Sequence, residues 1–143
     1  MDPFETERLL VRQFTPDDAN DFFLFNSSEQ VMRYIRPVKN REESDAFLEE
    51  NFNLYLDGEA DYHIGYALMP SYWGKGFASE LVKYGAKIFF ERTGHACLYA
   101  ITQPENKASE LVLLKNSFEQ SGCFMLNEEK LNKFLLTRAS CKS

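Results

Sequence analysis

The chain has 143 residues, of which 44% are hydrophobic and 15% aromatic, and its formal net charge is −6. This length and composition predict a single domain over residues 1–143 with one hydrophobic core. The acidic balance argues against nucleic acid as a principal partner, because phosphate binding needs clustered Lys and Arg. No run approaches the ~20 apolar residues of a membrane span, and the polar N-terminus is not typical of a signal peptide.

Three cysteines, Cys97, Cys123 and Cys141, are widely spaced and form no CxxC pair. This pattern predicts neither a disulfide framework nor a metal site. Unpaired cysteines are typical of a reducing compartment, so we expect a cytoplasmic protein.

The first half of the sequence predicts one strand followed by helices. Residues 8–14 alternate in polarity like a strand. Thr15, Pro16 and Asp18 are residue types preferred at the N-cap, the first and the third position of a helix. The helices predicted in this half cover approximately residues 16–26, 29–34 and 41–56.

The second half alternates strands and helices. Ile64, Tyr66 and Leu68 share one face of a strand predicted over residues 62–69. Apolar residues recur at helical spacing over 77–90, and the later predicted elements are a strand (96–102), a helix (106–115) and two antiparallel strands (118–125 and 130–137). Because the strands are not all joined by helices, we expect an α+β fold with helices on the faces of a sheet.

A glycine-rich turn, Tyr72–Ser79, joins the strand predicted at 62–69 to the following helix. A helix that begins at such a turn has backbone N–H groups without acceptors and the positive end of its dipole, which together favour an anion. Gly74 and Gly76 would let a diphosphate approach the backbone. Since Gly74-Lys75-Gly76 lacks the Gly-Lys-Ser/Thr ending of a P-loop, a nucleotide-binding ATPase is a distant alternative.

Four stretches of the sequence belong together as one pattern. They are Glu5–Arg12 with Phe14 and Pro16–Ala19, then His63–Ala78, then Pro104–Ser109 with Val112–Leu113 and Lys115–Phe118, and finally Leu131–Arg138. Together they resemble the GNAT superfamily of acyl-CoA-dependent N-acetyltransferases, and within it the branch similar to ribosomal-protein N-terminal acetyltransferases. The resemblance spans nearly the whole chain. It implies a mixed, mostly antiparallel sheet with helices on both faces, and acetyl-CoA as co-substrate without a metal.

The resemblance also implies which residues hold coenzyme A. The diphosphate would bind the backbone of the loop, and the pantetheine arm would pair with the edge of the preceding strand. Asn106 would hydrogen-bond that arm near its thiol end. The residues implied in cofactor binding are Ala67, Leu68, Met69, Gly74, Lys75, Gly76, Phe77, Ala78 and Asn106.

Two residues are candidates for catalysis. By resemblance, Ser109 would face the thioester and protonate the departing thiolate, although Asn106 and Ser109 also suit a purely structural helix start. His63 could replace the carboxylate that serves the family as general base, since histidine takes up a proton near neutral pH. A satisfied or solvent-exposed histidine is the simpler interpretation of His63.

The implied reaction is direct attack of a primary amine on acetyl-CoA in a ternary complex, with the amine belonging to a protein N-terminus or a small molecule. A ping-pong route through an acyl-cysteine needs a thiolate with a nearby base, which the sequence does not indicate. The alternative function is a non-catalytic acyl-CoA-binding module whose acceptor site is degenerate.

The resemblance breaks between the helix that ends near Leu56 and the strand that begins at Tyr62. The family has two further strands there, which help to line the acceptor side, whereas here only Asp57–Asp61 remains. Three explanations are open: a segment omitted from the sequence, which we favour because both flanks match the family, a compact variant, or the product of a degenerate gene. Strand edges exposed by a true deletion would favour a homodimer.

Overall fold

A computed structural model describes residues 3–54, 63–126 and 128–141, with the side chains of 49–54 excepted. The chain divides into two compact units, residues 1–60 with 68–71 and residues 61–67 with 72–143. Each unit is described by itself, and the single domain expected over residues 1–143 stays a prediction. The predicted linker 57–61, Tyr62 and the tip of the last hairpin at Asn127 lie outside the described residues.

In the first unit, β1 (Phe4–Glu5) pairs antiparallel with β2 (Leu10–Val11). The strand predicted over 8–14 is therefore shorter than expected, and its partner β1 was not predicted. Three helices follow, after a 3-10 turn at Pro16–Asp18: α1 (Ala19–Asn26), α2 (Glu29–Met32) and α3 (Arg41–Leu54). Their predicted positions are confirmed.

The predicted start of the first helix is confirmed in detail. The Asp18 carboxylate accepts a hydrogen bond from the backbone N–H of Thr15 at 2.7 Å. It also accepts one from each terminal nitrogen of Arg12 at 2.8 Å. The hydrogen bond from Arg12, followed by the one from Thr15, holds the pKa of the Asp18 carboxyl well below its usual range. The turn therefore connects the end of β2 to the beginning of α1.

The second unit contains a three-stranded antiparallel sheet in the order β3 (Cys97–Thr102), β5 (Glu129–Thr137), β4 (Glu119–Leu126). The register pairs Ala100 of β3 with Phe134 of β5. The helices α4 (Phe77–Arg92) and α5 (Lys107–Lys115) complete the unit. These five elements confirm the predictions for residues 77–137, and each observed boundary lies within two residues of the predicted one.

The core of this unit lies between one face of the sheet and the two helices. Its buried side chains come from α4, β3, α5, the turn after α5, and β5: Val82, Ala86, Phe90, Leu98, Ala100, Leu113, Phe118, Phe134 and Leu136. On the α4 side, a Cβ added at Gly85 would lie 3.3 Å from Cδ1 of Ile64, so glycine allows this segment to approach the helix closely.

The prediction of a regular strand over residues 62–69 is wrong for the described residues 63–69. Within the described residues the segment forms one parallel bridge, between His63 and Tyr99, and the N–H of Ile64 donates to the carbonyl of Tyr99 at 2.8 Å. The apolar alternation has another cause, because Ile64 and Tyr66 pack against the core of the second unit. Burial of alternate side chains, rather than a hydrogen-bonded ladder, produced the pattern.

The end of α5 is fixed by backbone hydrogen bonds that close a Schellman motif. The N–H of Phe118 donates to the carbonyl of Leu113 at 3.1 Å, and that of Ser117 to Leu114 at 3.2 Å. Leu113 and Phe118 are both buried in the core, which supplies the apolar contact typical of this motif. Ser117 takes a left-handed conformation with φ of 72°.

We predict that stability follows residue type at position 117. Ser117→Gly should leave the free energy of unfolding unchanged or raise it by up to about 1 kcal/mol, since glycine accepts positive φ without strain. Ser117→Val should lower it by about 1–2 kcal/mol, because a β-branched residue resists this conformation. Urea denaturation of the three proteins measures the order, and a valine variant as stable as the glycine variant would contradict it.

Candidate functional site

The glycine-rich turn has the geometry expected of an anion site. Gly74 and Gly76 have φ of 73° and 81°, in the left-handed region that glycine accepts most readily. Gly76 is the N-cap of α4 and has no side chain to accept from the first turn. The turn therefore presents the positive end of a 16-residue helix beside backbone that can be approached closely.

The start of α5 carries the other residues expected to contact the co-substrate. The side-chain oxygen of Asn106 accepts the backbone N–H of Ser109 at 3.3 Å, so Asn106 is the N-cap of α5. The structural role considered for Asn106 is thus present. Capping uses the oxygen of the amide, and its NH2 group is the part that could donate to a pantetheine carbonyl.

Tyr66 contacts Ser109. The sequence did not predict Tyr66 as a residue of the site. Its hydroxyl lies 2.7 Å from Oγ of Ser109 and 3.0 Å from the Ser109 carbonyl oxygen. Burial raises the pKa of Tyr66, and the hydrogen bond with Ser109 partly opposes that rise. Nothing in the sequence marks this contact, because 43 positions separate the two residues and Tyr66 resembles its apolar neighbours.

Glu110, the next residue along α5, anchors the helix to the sheet. One carboxylate oxygen accepts from Oγ1 of Thr102 on β3 at 2.8 Å and from Nδ2 of Asn132 on β5 at 2.7 Å. Burial alone would raise the pKa of Glu110, but these two hydrogen bonds, helped by Lys107, lower it overall. Glu110 is therefore held as a carboxylate, and it fixes the position of Ser109 beside it.

His63 is exposed and lies near the ring of Tyr99, with 6.2 Å between ring centroids. It lines an open groove on the sheet together with Cys123 and Lys133, among other residues. The ammonium of Lys133 lies 4.1 Å from the centroid of the Tyr99 ring. The groove brings a histidine and a cysteine to one surface, which their sequence positions did not indicate.

The remaining predicted contacts of the pantetheine arm lie in a segment without regular structure. Ala67, Leu68 and Met69 belong to no described strand. Ala67 falls in the second unit, whereas Leu68 and Met69 fall in the first. The expected pairing with the pantetheine arm therefore remains a prediction for these three residues.

The family of the chain is shown by a match to the model described as "Acetyltransferase (GNAT) domain". The match covers residues 8–61 and 51–119, which is more than half of the chain. The chain therefore belongs to the GNAT acetyltransferase family, as its sequence motifs predicted. The two matched segments overlap at 51–61, where two strands of the family were expected to be missing.

A relative supports the same assignment. The uncharacterized N-acetyltransferase YoaA of Bacillus subtilis is 28% identical over 147 residues, which cover 82% of this chain and 83% of YoaA. Since 82% of this chain is about 117 residues, about 30 positions of that alignment have no counterpart here. Among the described residues, which leave out 55–62, no strand lies between α3 and α4.

Solved structures share the fold. An acetyltransferase of the GNAT family from Bacillus anthracis has a TM-score of 0.83 and 26% identity, covering 95% of this chain and 98% of that chain. The ribosomal L7/L12 alpha-N-protein acetyltransferase RimL, in complex with coenzyme A, has a TM-score of 0.79 and 17% identity, covering 95% and 98%. The predicted α+β GNAT fold is confirmed.

These matches also confirm the expected enzyme class, an acetyltransferase that uses acetyl-CoA and acts on an amine. The roles of individual site residues stay predictions. No helix in the described part of the chain is long and apolar enough to cross a membrane. In those same residues no group of three or more His, Cys, Asp or Glu could hold a metal ion.

We predict that Glu110→Gln lowers the free energy of unfolding by about 1 kcal/mol at neutral pH, because the hydrogen bonds of Thr102 and Asn132 would lose a charged acceptor. The folded pKa of Glu110 is depressed, so this contribution is present above the unfolded pKa of ~4.3 and is lost as pH falls through the folded pKa. Urea denaturation at neutral and acidic pH should show the difference shrinking in acid.

The control is Glu105→Gln, which removes one exposed carboxylate just before the same helix. It accounts for any general effect of net charge. A Glu110→Gln deficit that persists unchanged below the folded pKa would contradict the assignment of the contribution to the charged carboxylate.

Proposed function

We propose that acetyl-CoA binds along the second unit, with its diphosphate at the loop of residues 74–78 and its thioester at Ser109. A primary amine then attacks the thioester directly. The observation that carries this proposal is the left-handed Gly74–Gly76 turn, which begins α4 without a side-chain cap. Lys75, exposed in the same turn, would add positive charge.

The arrangement of α4 and α5 supports this placement. Nδ2 of Asn116, just after α5, donates to Oγ of Ser79 in the first turn of α4 at 3.1 Å. The start of α4 therefore lies beside the end of α5, whereas Ser109 lies in the first turn of α5. At a rise of ~1.5 Å per residue, Ser109 and Asn116 are about 10 Å apart along the helix. An extended pantetheine arm can bridge this separation.

We predict that Gly76→Asp weakens acetyl-CoA binding at least about tenfold, because a carboxylate at the helix start repels the diphosphate. The matched control is Gly76→Asn, which has nearly the same shape without the charge. Both residue types are among those that tolerate positive φ. Calorimetric titration should find most of the affinity retained by the asparagine variant. Saturable binding that is equally weakened in both variants would point to backbone geometry instead of charge.

Cys141 is unsuited to a ping-pong route, which favours direct attack. Burial raises the pKa of Cys141, the opposite of what an activated nucleophile needs. Cys123 is exposed in the groove that His63 also lines, and it is the cysteine through which a ping-pong route would run. In the proposed scheme His63 accepts the proton of the attacking amine, and the amine itself forms the new bond to the acetyl carbon.

The cysteine route can be tested with Cys123→Ser. We predict that this variant keeps acetyl-transfer activity within about twofold of the unaltered protein, since no acyl-enzyme forms. Intact-mass measurement of the unaltered protein after incubation with acetyl-CoA alone should show no acetyl adduct. An adduct that disappears in Cys123→Ser, together with loss of turnover, would establish the ping-pong mechanism instead.

The acceptor is proposed to be the amine of a protein N-terminus or of a small molecule. RimL, which shares the fold, is named for its action on the N-terminus of a ribosomal protein, and this supports the first class by analogy only. Release of free thiol from acetyl-CoA in the presence of a panel of peptides and small amines distinguishes the classes. Binding of acetyl-CoA without turnover on any of them would favour the non-catalytic module.

The proposed homodimer rests on a sheet edge. In the second unit β4 is an outer strand of the three-stranded sheet, whereas the outer side of β3 is bridged by His63, and a strand edge can pair with another chain. Sedimentation at several protein concentrations measures the oligomeric state.

A further inference from the structure

The contact between Tyr66 and Ser109 is a hydrogen-bonded pair of hydroxyl groups in a partly buried position. The Tyr66 hydroxyl lies within hydrogen-bond distance of two oxygens of the same residue, Oγ at 2.7 Å and the carbonyl oxygen at 3.0 Å. A carbonyl can only accept, whereas a serine hydroxyl can donate or accept. The pair therefore has two possible arrangements of its protons.

In the first arrangement Tyr66 donates to the Ser109 carbonyl, and the Ser109 hydroxyl donates to Tyr66. In the second, Tyr66 donates to Oγ of Ser109, and the proton of Ser109 is directed elsewhere. Rotation of two hydroxyl groups converts one arrangement into the other without movement of heavy atoms. The second arrangement gives Ser109 a donor that can face a sulfur atom.

A serine hydroxyl alone is a poor source of a proton for a thiolate. A phenol, with an ordinary pKa of ~10, is a much stronger acid than a serine hydroxyl. Its pKa is also closer to that of a thiol, which is ~8.5. Ser109 is the only hydroxyl side chain of α5, whose sequence is KASELVLLK. The phenol at the start of α5 therefore comes from the segment before the glycine-rich turn, not from the helix itself.

We propose that Tyr66 acts through Ser109 to stabilise and protonate the thiolate of coenzyme A as it leaves. This inference rests on the proposed function, which places the thioester at Ser109. Ser109 is the residue that touches the sulfur, and Tyr66 is a positioning residue that orients the Ser109 hydroxyl and replaces its proton.

The step balances as follows. The amine nitrogen forms a bond to the acetyl carbon, and the carbon–sulfur bond breaks with its electron pair on sulfur. The hydroxyl proton of Ser109 passes to sulfur, while the phenolic proton of Tyr66 passes to Oγ of Ser109. The proton lost by the amine returns to Tyr66 through the base and water, so that the products are the amide and the free thiol.

The surroundings keep Tyr66 protonated and hold the backbone of Ser109. Burial raises the pKa of Tyr66, so the phenol carries a proton at neutral pH although it is a weaker acid than an exposed phenol. The backbone of Ser109 is fixed by Asn106, which caps the helix, and by the neighbouring Glu110, which binds Thr102 and Asn132. The Ser109 hydroxyl is thus the movable part of an otherwise fixed helix start.

The experiment measures the titration of the coenzyme A thiol on the protein. The ultraviolet absorbance of the thiolate is followed against pH for the complex with coenzyme A, and the same titration with desulfo-coenzyme A is subtracted to remove tyrosine and cysteine signals. We expect the bound thiol to titrate at a pH about one higher in Tyr66→Phe and in Ser109→Ala than in the unaltered protein. The double variant should resemble either single variant, because the two residues act as a unit.

Two controls separate this role from a structural one. Tyr34→Phe removes a phenol in the first unit and should leave the titration of the bound thiol unchanged. Ser109→Thr retains a hydroxyl, so its bound thiol should titrate nearly as in the unaltered protein. With the amine that gives the fastest thiol release, Tyr66→Phe should lower kcat at least about tenfold at unchanged acetyl-CoA affinity.

The outcomes are distinct. A thiol that titrates equally in the unaltered protein and in both single variants, while coenzyme A still binds, overturns the role of Tyr66 and leaves the proposed binding site in place. Failure of the folded, unaltered protein to bind coenzyme A overturns both. A Tyr66→Phe variant that only unfolds more easily, with an unchanged thiol titration, reduces the contact to a structural one.

Discussion

The packing of α4 and α5 against one face of the β3-β5-β4 sheet is the constraint on which the candidate site depends. The core between these elements fixes both helices, and the hydrogen bond from Asn116 to Ser79 sets the start of one beside the end of the other. One helix start is then available for a diphosphate, and the other carries Ser109. The distance between two groups of one co-substrate is therefore set by apolar packing rather than by the residues that would touch it.

The start of α5 is held more tightly than a helix cap requires. Asn106 satisfies the first turn, Glu110 joins it to β3 and β5, and Tyr66 reaches Ser109 from another part of the chain. Removal of a carboxylate from water is costly unless its hydrogen bonds are made. For the partly buried Glu110 this cost is offset by Thr102 and Asn132, and the result is a rigid frame around one movable hydroxyl. Such a frame suits catalysis that depends mainly on positioning.

The gap expected in this chain relative to its family lies between α3 and α4. The two segments that match the family model overlap there, at 51–61, and the alignment with YoaA is about 30 positions longer than the part of this chain that it covers. The residues proposed to hold the diphosphate and the thioester lie outside this gap. The residues that would select an acceptor are the part most affected, because acceptor recognition resides in variable segments. Identification of the amine is thus a separate question from binding of acetyl-CoA.

The sequence by itself determined the elements whose signals are local. The capping box around Thr15 and Asp18, the glycine turn before Phe77 and the Asn106 cap depend on residues within one turn of helix, so spacing alone predicted them. Only the tertiary structure decided that residues 63–69 form a single bridge rather than a strand, since a strand needs a partner along its length. It likewise decided the contact of Tyr66 with Ser109, because a hydrogen bond across 43 positions depends on packing that no local pattern records.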